Sequence, residues 1–410
     1  MLETGFLLLG FTIVAGFFSL MFFERTKIPD VLILMLLGML IGPVFGLVDT
    51  AFFVSIAPFI GALALIIILF DGGLNLSLMK VLGQLAPATL FTLCAFVVTS
   101  VFVAVTAHFA FGWDWLWGLL LGFVVGGTSS NIVIPILSKL NASDDAKLLL
   151  NLESALTDAL CIVAAISLIT VLRVGAVDSS AVLNSLLGSF AIAAIVGVVA
   201  GFAWLQVLKH PAGKPFSYML TLAALFVLYG IIEGVKANGA IGILVFGIII
   251  GNAKLITRSM GSKEGEAFDT ELRGFQTEVS FFVRTFFFVY LGLIFNLKAV
   301  TLPIALSAVV VLAAIIAARF LASTLFIRIQ QRFASYKTLF VAVMPRGLAA
   351  AVLAGLPAAN GVAIPSFPEI VFLIIILTNA ATTIGLAFYG NSSTPSSPQP
   401  TSKPRIVAKV

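Results

Sequence analysis

Two carboxylates and two hydroxyls occur close together in a stretch that is otherwise apolar. Residues 151–158 read Asn-Leu-Glu-Ser-Ala-Leu-Thr-Asp and are followed by the apolar run 159–172. A charged side chain at the centre of a bilayer costs about 2.5–3.5 kcal/mol, so such residues usually face a cavity or a partner. On a helix, Ser154 and Asp158 share one face, whereas Glu153 points about 140° away from Asp158. One carboxylate can therefore face a water-filled path while the other points into the packed bundle.

The composition is that of a polytopic membrane protein. Of 410 residues, 60% are hydrophobic and 10% are charged, whereas soluble domains carry about 25% charged residues. The net charge of +5 does not indicate a nucleic-acid partner, because the basic residues stand singly in short predicted loops. Cys94 and Cys161 both lie inside apolar runs, so we expect no disulfide, no resident metal and no cofactor.

The hydropathy pattern predicts an all-α protein of thirteen transmembrane helices in a lipid bilayer. If the N-terminus lies outside, seventeen basic residues fall in inside loops and only Arg173, Lys236 and Lys298 fall in outside loops. This is the positive-inside distribution, and it predicts a cytoplasmic C-terminus. The predicted spans are 2–23, 31–48, 53–70, 85–109, 113–137, 147–172, 181–207, 216–235, 240–251, 275–296, 301–327, 337–357 and 369–389.

An odd number of spans allows two halves that enter the membrane from opposite sides. Residues 1–390 then form one transmembrane domain, with inverted repeats at about 1–172 and 216–390 and a linker helix at 181–207. The segment 391–410 is rich in serine, proline and threonine, which predicts a disordered cytoplasmic tail. We expect no soluble regulatory domain after it.

The fifth span of each half is interrupted by glycine and proline. Residues 126–131 read Gly-Gly-Thr-Ser-Ser-Asn, and residues 344–347 read Met-Pro-Arg-Gly, with Gly-Leu-Pro further on at 355–357. Interrupted spans in matching positions of two halves are typical of a mid-membrane ion site, because unwound carbonyls then face a cavity. The pattern predicts a pair of broken, crossing helices. Ser129, Ser130 and Asn131 either coordinate ions there or satisfy freed backbone groups.

Three arginines lie inside predicted spans and need partners there. Arg284 is expected to pair with Glu233 or to cap backbone carbonyls. Arg346 either stabilises the helix break or discourages occupancy by extra cations. Asp71 is expected to be a solvated acid at the end of span three. The arginines are Arg284, Arg319 and Arg346, and the candidate acids are Glu153, Asp158, Glu233, Asp71 and Glu369.

Taken together, these motifs resemble the monovalent cation/proton antiporters of the sodium/proton exchanger superfamily, most closely the NhaP-type branch. The resemblance extends over essentially all of residues 1–390. It rests on the order and span positions of Glu-Ser-Ala-Leu-Thr-Asp at 153–158, Gly-Thr-Ser-Ser at 127–130, Leu-Phe-Asp-Gly-Gly-Leu at 69–74, Phe-Phe-Phe-Val-Tyr-Leu-Gly at 286–292 and Arg-Gly-Leu-Ala-Ala-Ala at 346–351.

The resemblance implies a role for each polar residue. Asp158 would alternately bind a proton and a cation, Thr128 and Ser154 would supply oxygen ligands, and Glu153 would pair with Arg319 to brace the core. It also implies a prokaryotic-type inner membrane and a homodimer. The predicted ion- and proton-binding residues are Asp158, Ser154, Thr128, Ser129 and Thr157, and the structural or charge-compensating residues are Glu153, Arg319, Arg346 and Arg284.

The sequence departs from the family pattern at two places. It has Thr157-Asp158 where many members have Asn-Asp, and Thr128-Ser129-Ser130 where many have Thr-Asp-Pro. Without an acid at position 129, one exposed carboxylate remains, which favours electroneutral exchange of one cation for one proton. Competition of the two ions for that carboxylate predicts that transport stops at low pH.

Several function classes remain as alternatives. Sodium is the first candidate cation, with lithium and potassium as alternatives, and a sodium-coupled symporter of related inverted-repeat fold is the second class. A channel is disfavoured, because one titratable site beside broken helices suits a carrier better. An intramembrane aspartyl protease needs a Gly-x-Gly-Asp setting, which is absent around Asp158 and Asp71. We therefore expect no enzymatic activity beyond translocation.

Overall fold

The computed structural model is built from α-helices. It describes residues 2–26, 28–48, 50–75, 78–174, 179–208, 217–259 and 265–392, and no β-strand occurs in these ranges. The predicted disordered tail, apart from its first two residues, lies outside the described residues, as do the loop lysines Lys209, Lys214 and Lys263.

The helices follow one another with short connections. A π-helical turn at Leu40–Val44 contains Pro43, and 3-10 turns lie at Leu297–Ala299 and Gln331–Tyr336. The α-helices are α1 (Leu2–Thr26), α2 (Asp30–Met39), α3 (Thr50–Ser55), α4 (Ala57–Asn75), α5 (Leu78–Phe111), α6 (Trp115–Val125), α7 (Ser130–Ser138), α8 (Asp144–Val174), α9 (Ser179–Val207), α10 (Ser217–Gly234), α11 (Gly239–Gly251), α12 (Ala253–Ser259), α13 (Gly265–Ile294), α14 (Leu302–Ile329), α15 (Lys337–Ala342), α16 (Leu348–Ala359) and α17 (Phe367–Ser392).

The lengths and composition of these helices fit a protein that crosses a membrane many times. Among the described residues, seven helices are long and apolar enough to span a bilayer, and six further apolar helices are shorter. The prediction of an all-α polytopic membrane protein is therefore confirmed. Large apolar side chains such as Phe11, Phe17, Val97 and Ile195 are exposed on the outside, as expected of a surface that faces lipid.

The helices sort into two groups by packing. Helices α5 to α8 pack against α14 to α17, while α1 to α4 pack against α9 to α13. The groups meet mainly where α4 lies against α16, with smaller contacts of α4 with α8 and of α13 with α16. The predicted site residues on α8 lie close to this junction, as do those just before the starts of α7 and α16.

Small residues bring the helices of the second group into backbone contact. A Cβ atom on Gly38 of α2 would overlap the backbone of Val289 in α13, and one on Gly292 of α13 would overlap that of Met35 in α2. Close backbone approach through small residues is a common basis of helix association in membranes. Helices α2 and α13 are therefore closely packed, and each carries one member of the ion pair between Asp30 and Arg284.

Two membrane segments are interrupted at the predicted positions. The first runs from α6 to α7 across residues 126–129, and the second runs from α15 to α16 across residues 343–347. The expected second interruption at 355–357 is wrong, because α16 continues through Pro357 to Ala359. A proline so close to the helix end removes one backbone hydrogen bond without breaking the helix.

Candidate ion site at the crossing of two broken helices

The two helix breaks contact each other directly. The backbone N–H of Ser129 donates to the carbonyl of Pro345 at 2.9 Å. Gly347 lies so close to the Ser129 side chain that a Cβ there would overlap its Oγ. This crossing places backbone groups that a continuous helix would satisfy next to the polar side chains of α8.

Polar residues of α17 satisfy the backbone of the second break. Thr378 Oγ1 accepts the N–H of Arg346 at 3.2 Å, and Thr382 Oγ1 accepts the N–H of Met344 at 3.3 Å. Asn379 Nδ2 donates to the carbonyl of Arg346 at 2.7 Å. All three side chains are fully buried. Sequence reasoning missed them, although polar residues four apart in an apolar span, at 378 and 382, are a signal that could have found them.

Asp158 is held by the start of α7. Its Oδ2 accepts hydrogen bonds from the N–H of Ser130 at 3.1 Å and from Ser130 Oγ at 2.7 Å. Ser130 is the first residue of α7, so the positive end of that helix dipole faces the carboxylate. Asp158 itself is half-buried. Ser130 is thus the hydroxyl that contacts Asp158. The sequence offered Ser129, Ser130 and Asn131 as possible ion ligands, and of these three only Ser129 was placed in the predicted site.

A cavity of about 380 Å³ lies beside Ser130, the residue that holds this carboxylate. Ser130 and Asn131 line it, so Asp158 lies one hydrogen bond behind its wall. Asp71 and Asn75 line it from α4. The sequence suggested a solvated acid at the end of a span, but α4 continues past Asp71 to Asn75.

Glu153 faces the packed bundle and forms an ion pair with Arg319. Arg319 Nη1 is 2.7 Å from Glu153 Oε1, and Nη2 donates to Oε2 at 3.1 Å. The two side chains are 1% and 3% exposed. Arg319 also donates from Nε to the carbonyl of Phe340 at 2.7 Å and lies over the ring of Phe91. The two carboxylates of α8 therefore have different surroundings, one beside a cavity and the other beside an arginine.

The predicted hydroxyl ligands lie around Glu153 and the α8 backbone. Thr128 Oγ1 donates to Glu153 Oε2 at 3.1 Å, and its N–H donates to Thr157 Oγ1 at 3.1 Å. Ser154 Oγ donates to the carbonyl of Asn151 at 3.0 Å. The two Thr128 bonds connect α8 to the first break, whereas the Ser154 bond lies within α8. A role for Thr128, Ser154 or Thr157 as an ion ligand stays a prediction.

Arg346 is a buried cation inside the second break. It is 1% exposed, and its Nη1 donates to the carbonyl of Met344 at 3.3 Å. Its Nε has no hydrogen-bond partner among the described residues. The contact with Met344 stabilises the break, and the charge also lies beside the site, so the geometry is compatible with both predicted roles.

Arg284 has a different partner from the one predicted. Its Nη2 is 3.2 Å from Asp30 Oδ2 at the start of α2. The expected pair with Glu233 is wrong, because Glu233 lies at the end of α10 and accepts the N–H of Gly239 at 2.8 Å. Asp30 was overlooked because it directly precedes the second predicted span. It was not among the candidate acids named for the buried arginines.

Comparison with known proteins gives one consistent family. The transmembrane sodium/hydrogen exchanger family matches residues 11–389. The K+/H+ antiporter NhaP of Alkalimonas amylolytica is 28% identical over 253 residues, which is 61% of this chain and 44% of that protein. The probable Na+/H+ antiporter 2 of Methanocaldococcus jannaschii is 26% identical over 281 residues, which is 66% of this chain and 64% of that protein. The match thus spans less than two thirds of either relative.

A solved structure has the same fold. The sodium proton antiporter MjNhaP1 from Methanocaldococcus jannaschii aligns with a TM-score of 0.78 at 21% sequence identity. The alignment covers 94% of this chain and 100% of that one. The two chains therefore share their helical architecture over nearly their whole length.

Proposed function

Because this chain belongs to the sodium/hydrogen exchanger family, we propose that it is a secondary transporter that exchanges a monovalent cation for a proton. The observation that carries the proposal is Asp158, which Ser130 holds at the helix crossing, one hydrogen bond from a cavity. A carboxylate can bind a proton or a cation but not both at once. Transport then requires that one ion leave before the other is carried back.

Sodium is the first candidate for the cation and potassium the second. Relatives of this chain are named for Na+/H+ and for K+/H+ exchange. Hard monovalent cations bind to several oxygens. Asp158, Ser130 and the carbonyls freed at the two breaks offer such oxygens. The transported ion is a substrate here, and no further cofactor is needed for the exchange.

The exchange is proposed to be electroneutral. Glu153 is neutralised by Arg319 and is hydrogen-bonded in the packed bundle, so it is not free to exchange ions. Asp158 is then the carboxylate whose charge changes during the cycle. One cation exchanged for one proton moves no net charge across the membrane.

The proposal includes the topology and assembly predicted from the sequence. We place the thirteen spans as two inverted halves in a prokaryotic-type inner membrane, with the N-terminus outside and the C-terminus in the cytoplasm. The cavity beside Asp158 then opens to the cytoplasm, because Asn75 in its wall lies in a predicted inside loop and Pro135 shortly precedes another. We also propose a homodimer, for which the exposed apolar face of α1 around Phe11 and Phe17 is a candidate surface.

A proton gradient in proteoliposomes tests the proposed function. Reconstituted wild type is expected to dissipate an imposed pH gradient when Na+, Li+ or K+ is added, at a rate that does not change when the membrane potential is clamped at different values. Liposomes without protein are the control. A gradient that stays intact with all three cations from acid to alkaline pH rejects the antiporter, and sodium-coupled symport becomes the leading function.

Competition between the two ions gives a second prediction. Because proton and cation share Asp158, the apparent KM for the cation is expected to rise about tenfold for each unit of pH decrease on the acid side. The maximal rate at saturating cation should fall much less. Initial rates at several cation concentrations and several pH values measure both quantities. A constant KM with a falling maximal rate would mean that the two ions bind at different sites.

A further inference from the structure

One member of an ion pair, Arg284, lies in the wall of the cavity beside Asp158. Arg284 lines this cavity together with Ser130 and Asn131. Its Nη2 is 3.2 Å from Asp30 Oδ2, and the two side chains are 15% and 9% exposed. A positive side chain therefore stands beside the path of a positive substrate, and Asp30 is the acid that compensates it.

Asp30 is held in place by three helices. Its Oδ1 accepts the N–H of Val31 at 3.0 Å, and its carbonyl accepts Ser19 Oγ of α1 at 3.2 Å. It lies in the first turn of α2, where the helix dipole stabilises a negative charge. Since α2 and α13 are in backbone contact at Gly38, the distance between Asp30 and Arg284 is fixed by the fold. This distinguishes the pair from a mobile surface salt bridge.

We propose that Asp30 is a positioning residue for cation entry, which neutralises Arg284 and holds its guanidinium against α2 so that the cavity admits monovalent cations. This inference rests on the proposed exchange function. Among the residues that the structure describes, the other charged groups around the cavity are Asp71 of α4 in the cavity wall and Asp158 of α8 behind Ser130. Asp30 contacts neither the substrate nor Asp158 in this proposal and acts through Arg284.

Loss of Asp30 has a characteristic kinetic consequence. A unit charge about 10 Å from a site, at an effective dielectric constant of about 20 to 40, changes the occupancy of a monovalent cation about four- to fifteenfold. Both exchanged ions carry one positive charge, so an uncompensated Arg284 weakens the binding of both by the same factor. The apparent KM for the cation then rises by that factor at alkaline pH, where few protons compete. At acid pH the weaker binding of the cation and the weaker binding of the competing proton cancel. The KM of the variant therefore approaches the wild-type KM.

The test compares three variants of the full chain in proteoliposomes, with exchange rates measured against cation concentration at one alkaline and one acid pH. Asp30→Asn keeps an acceptor for the Val31 N–H and is expected to raise the alkaline KM about four- to fifteenfold, with little change in maximal rate. Arg284→Gln should lower the KM at alkaline pH. The double variant, Asp30→Asn with Arg284→Gln, should have a KM close to that of wild type. The matched control is Asp114→Asn, which removes one carboxylate at the N-cap of α6 that is not among the residues lining the cavity.

Three results would overturn the inference. The first is that the KM of Asp30→Asn at alkaline pH lies within twofold of the wild-type KM. The second is that its KM rises equally at both pH values. The third is that the double variant keeps the raised KM of Asp30→Asn. If Asp30→Asn does not fold, Arg284→Gln and the double variant still decide the question, because the inference fails unless Arg284→Gln has the lower KM. A wild type that exchanges no cation rejects the proposed function and this inference with it, whereas a normal wild type with an unchanged Asp30→Asn rejects only the inference.

Discussion

Replacing Asp158 with asparagine is expected to abolish cation/proton exchange while leaving the fold intact. The asparagine Oδ1 still accepts hydrogen bonds from the N–H and Oγ of Ser130, which reach Asp158 at 3.1 Å and 2.7 Å. The side chain keeps its size but can neither lose a proton nor neutralise a cation. We expect the exchange rate to fall at least about a hundredfold, because the proposed exchange requires a carboxylate that can bind either ion.

The control for this variant is Asp144→Asn. Asp144 is an exposed acid in the first turn of the same helix, α8, and its replacement should leave exchange near the wild-type rate. Pyranine fluorescence in proteoliposomes measures exchange, and thermal unfolding in detergent shows whether each variant is folded. Cation-dependent thermal stabilisation should disappear in Asp158→Asn alone. A folded Asp158→Asn protein with more than about a tenth of wild-type exchange would mean that another group carries the ions.

The sequence predicted the overall architecture because hydropathy and helix periodicity are local signals. The positions of the two breaks followed from glycine and proline at 126–131 and 344–347, residues that lower helix stability wherever they occur. The different surroundings of Glu153 and Asp158 followed from their spacing on one helix. Each of these features depends on the residues of a single segment.

Contacts between segments were much harder to predict. Helix geometry showed which residues share a face of α8, but not that Ser130, from another helix, would meet Asp158. The choice among Thr128, Ser129 and Ser130 depends on how the first break folds, since one residue of rotation redirects each side chain. In the structure Thr128 turns to Glu153, while Ser130 starts α7 and faces Asp158.

The ion pair of Arg284 could not be predicted from the sequence for the same reason. Glu233, inside a predicted span, was one candidate partner, and backbone carbonyls were the other. The actual partner, Asp30, is far away in the chain and comes close only because α2 packs against α13. No periodicity relates two segments at that separation. The glycines at 38 and 292, which allow the packing, can be interpreted only once the two helices are known to be neighbours.

Removing one partner of the Glu153–Arg319 pair is expected to destabilise the protein strongly. Both side chains are buried, and the guanidinium makes two bonds to the carboxylate, at 2.7 Å and 3.1 Å. Breaking a buried pair leaves an uncompensated charge and typically costs about 3–5 kcal/mol. Glu153→Gln and Arg319→Met should each lower the unfolding temperature and the yield of monodisperse protein. Combining the two replacements should recover much of the loss, because neither charge then remains buried alone.

The double variant also separates a bracing role of Glu153 from direct ion binding. If Glu153 only braces the core, the combined Glu153→Gln and Arg319→Met protein should retain exchange, since Asp158 and Ser130 are unchanged. A double variant that is folded but inactive would instead place Glu153 among the groups that bind the transported ions. A single Glu153→Gln variant as stable as wild type would show that the pair does not brace the bundle. Because stability and exchange are measured on the same preparations, each result assigns Glu153 to one of these roles.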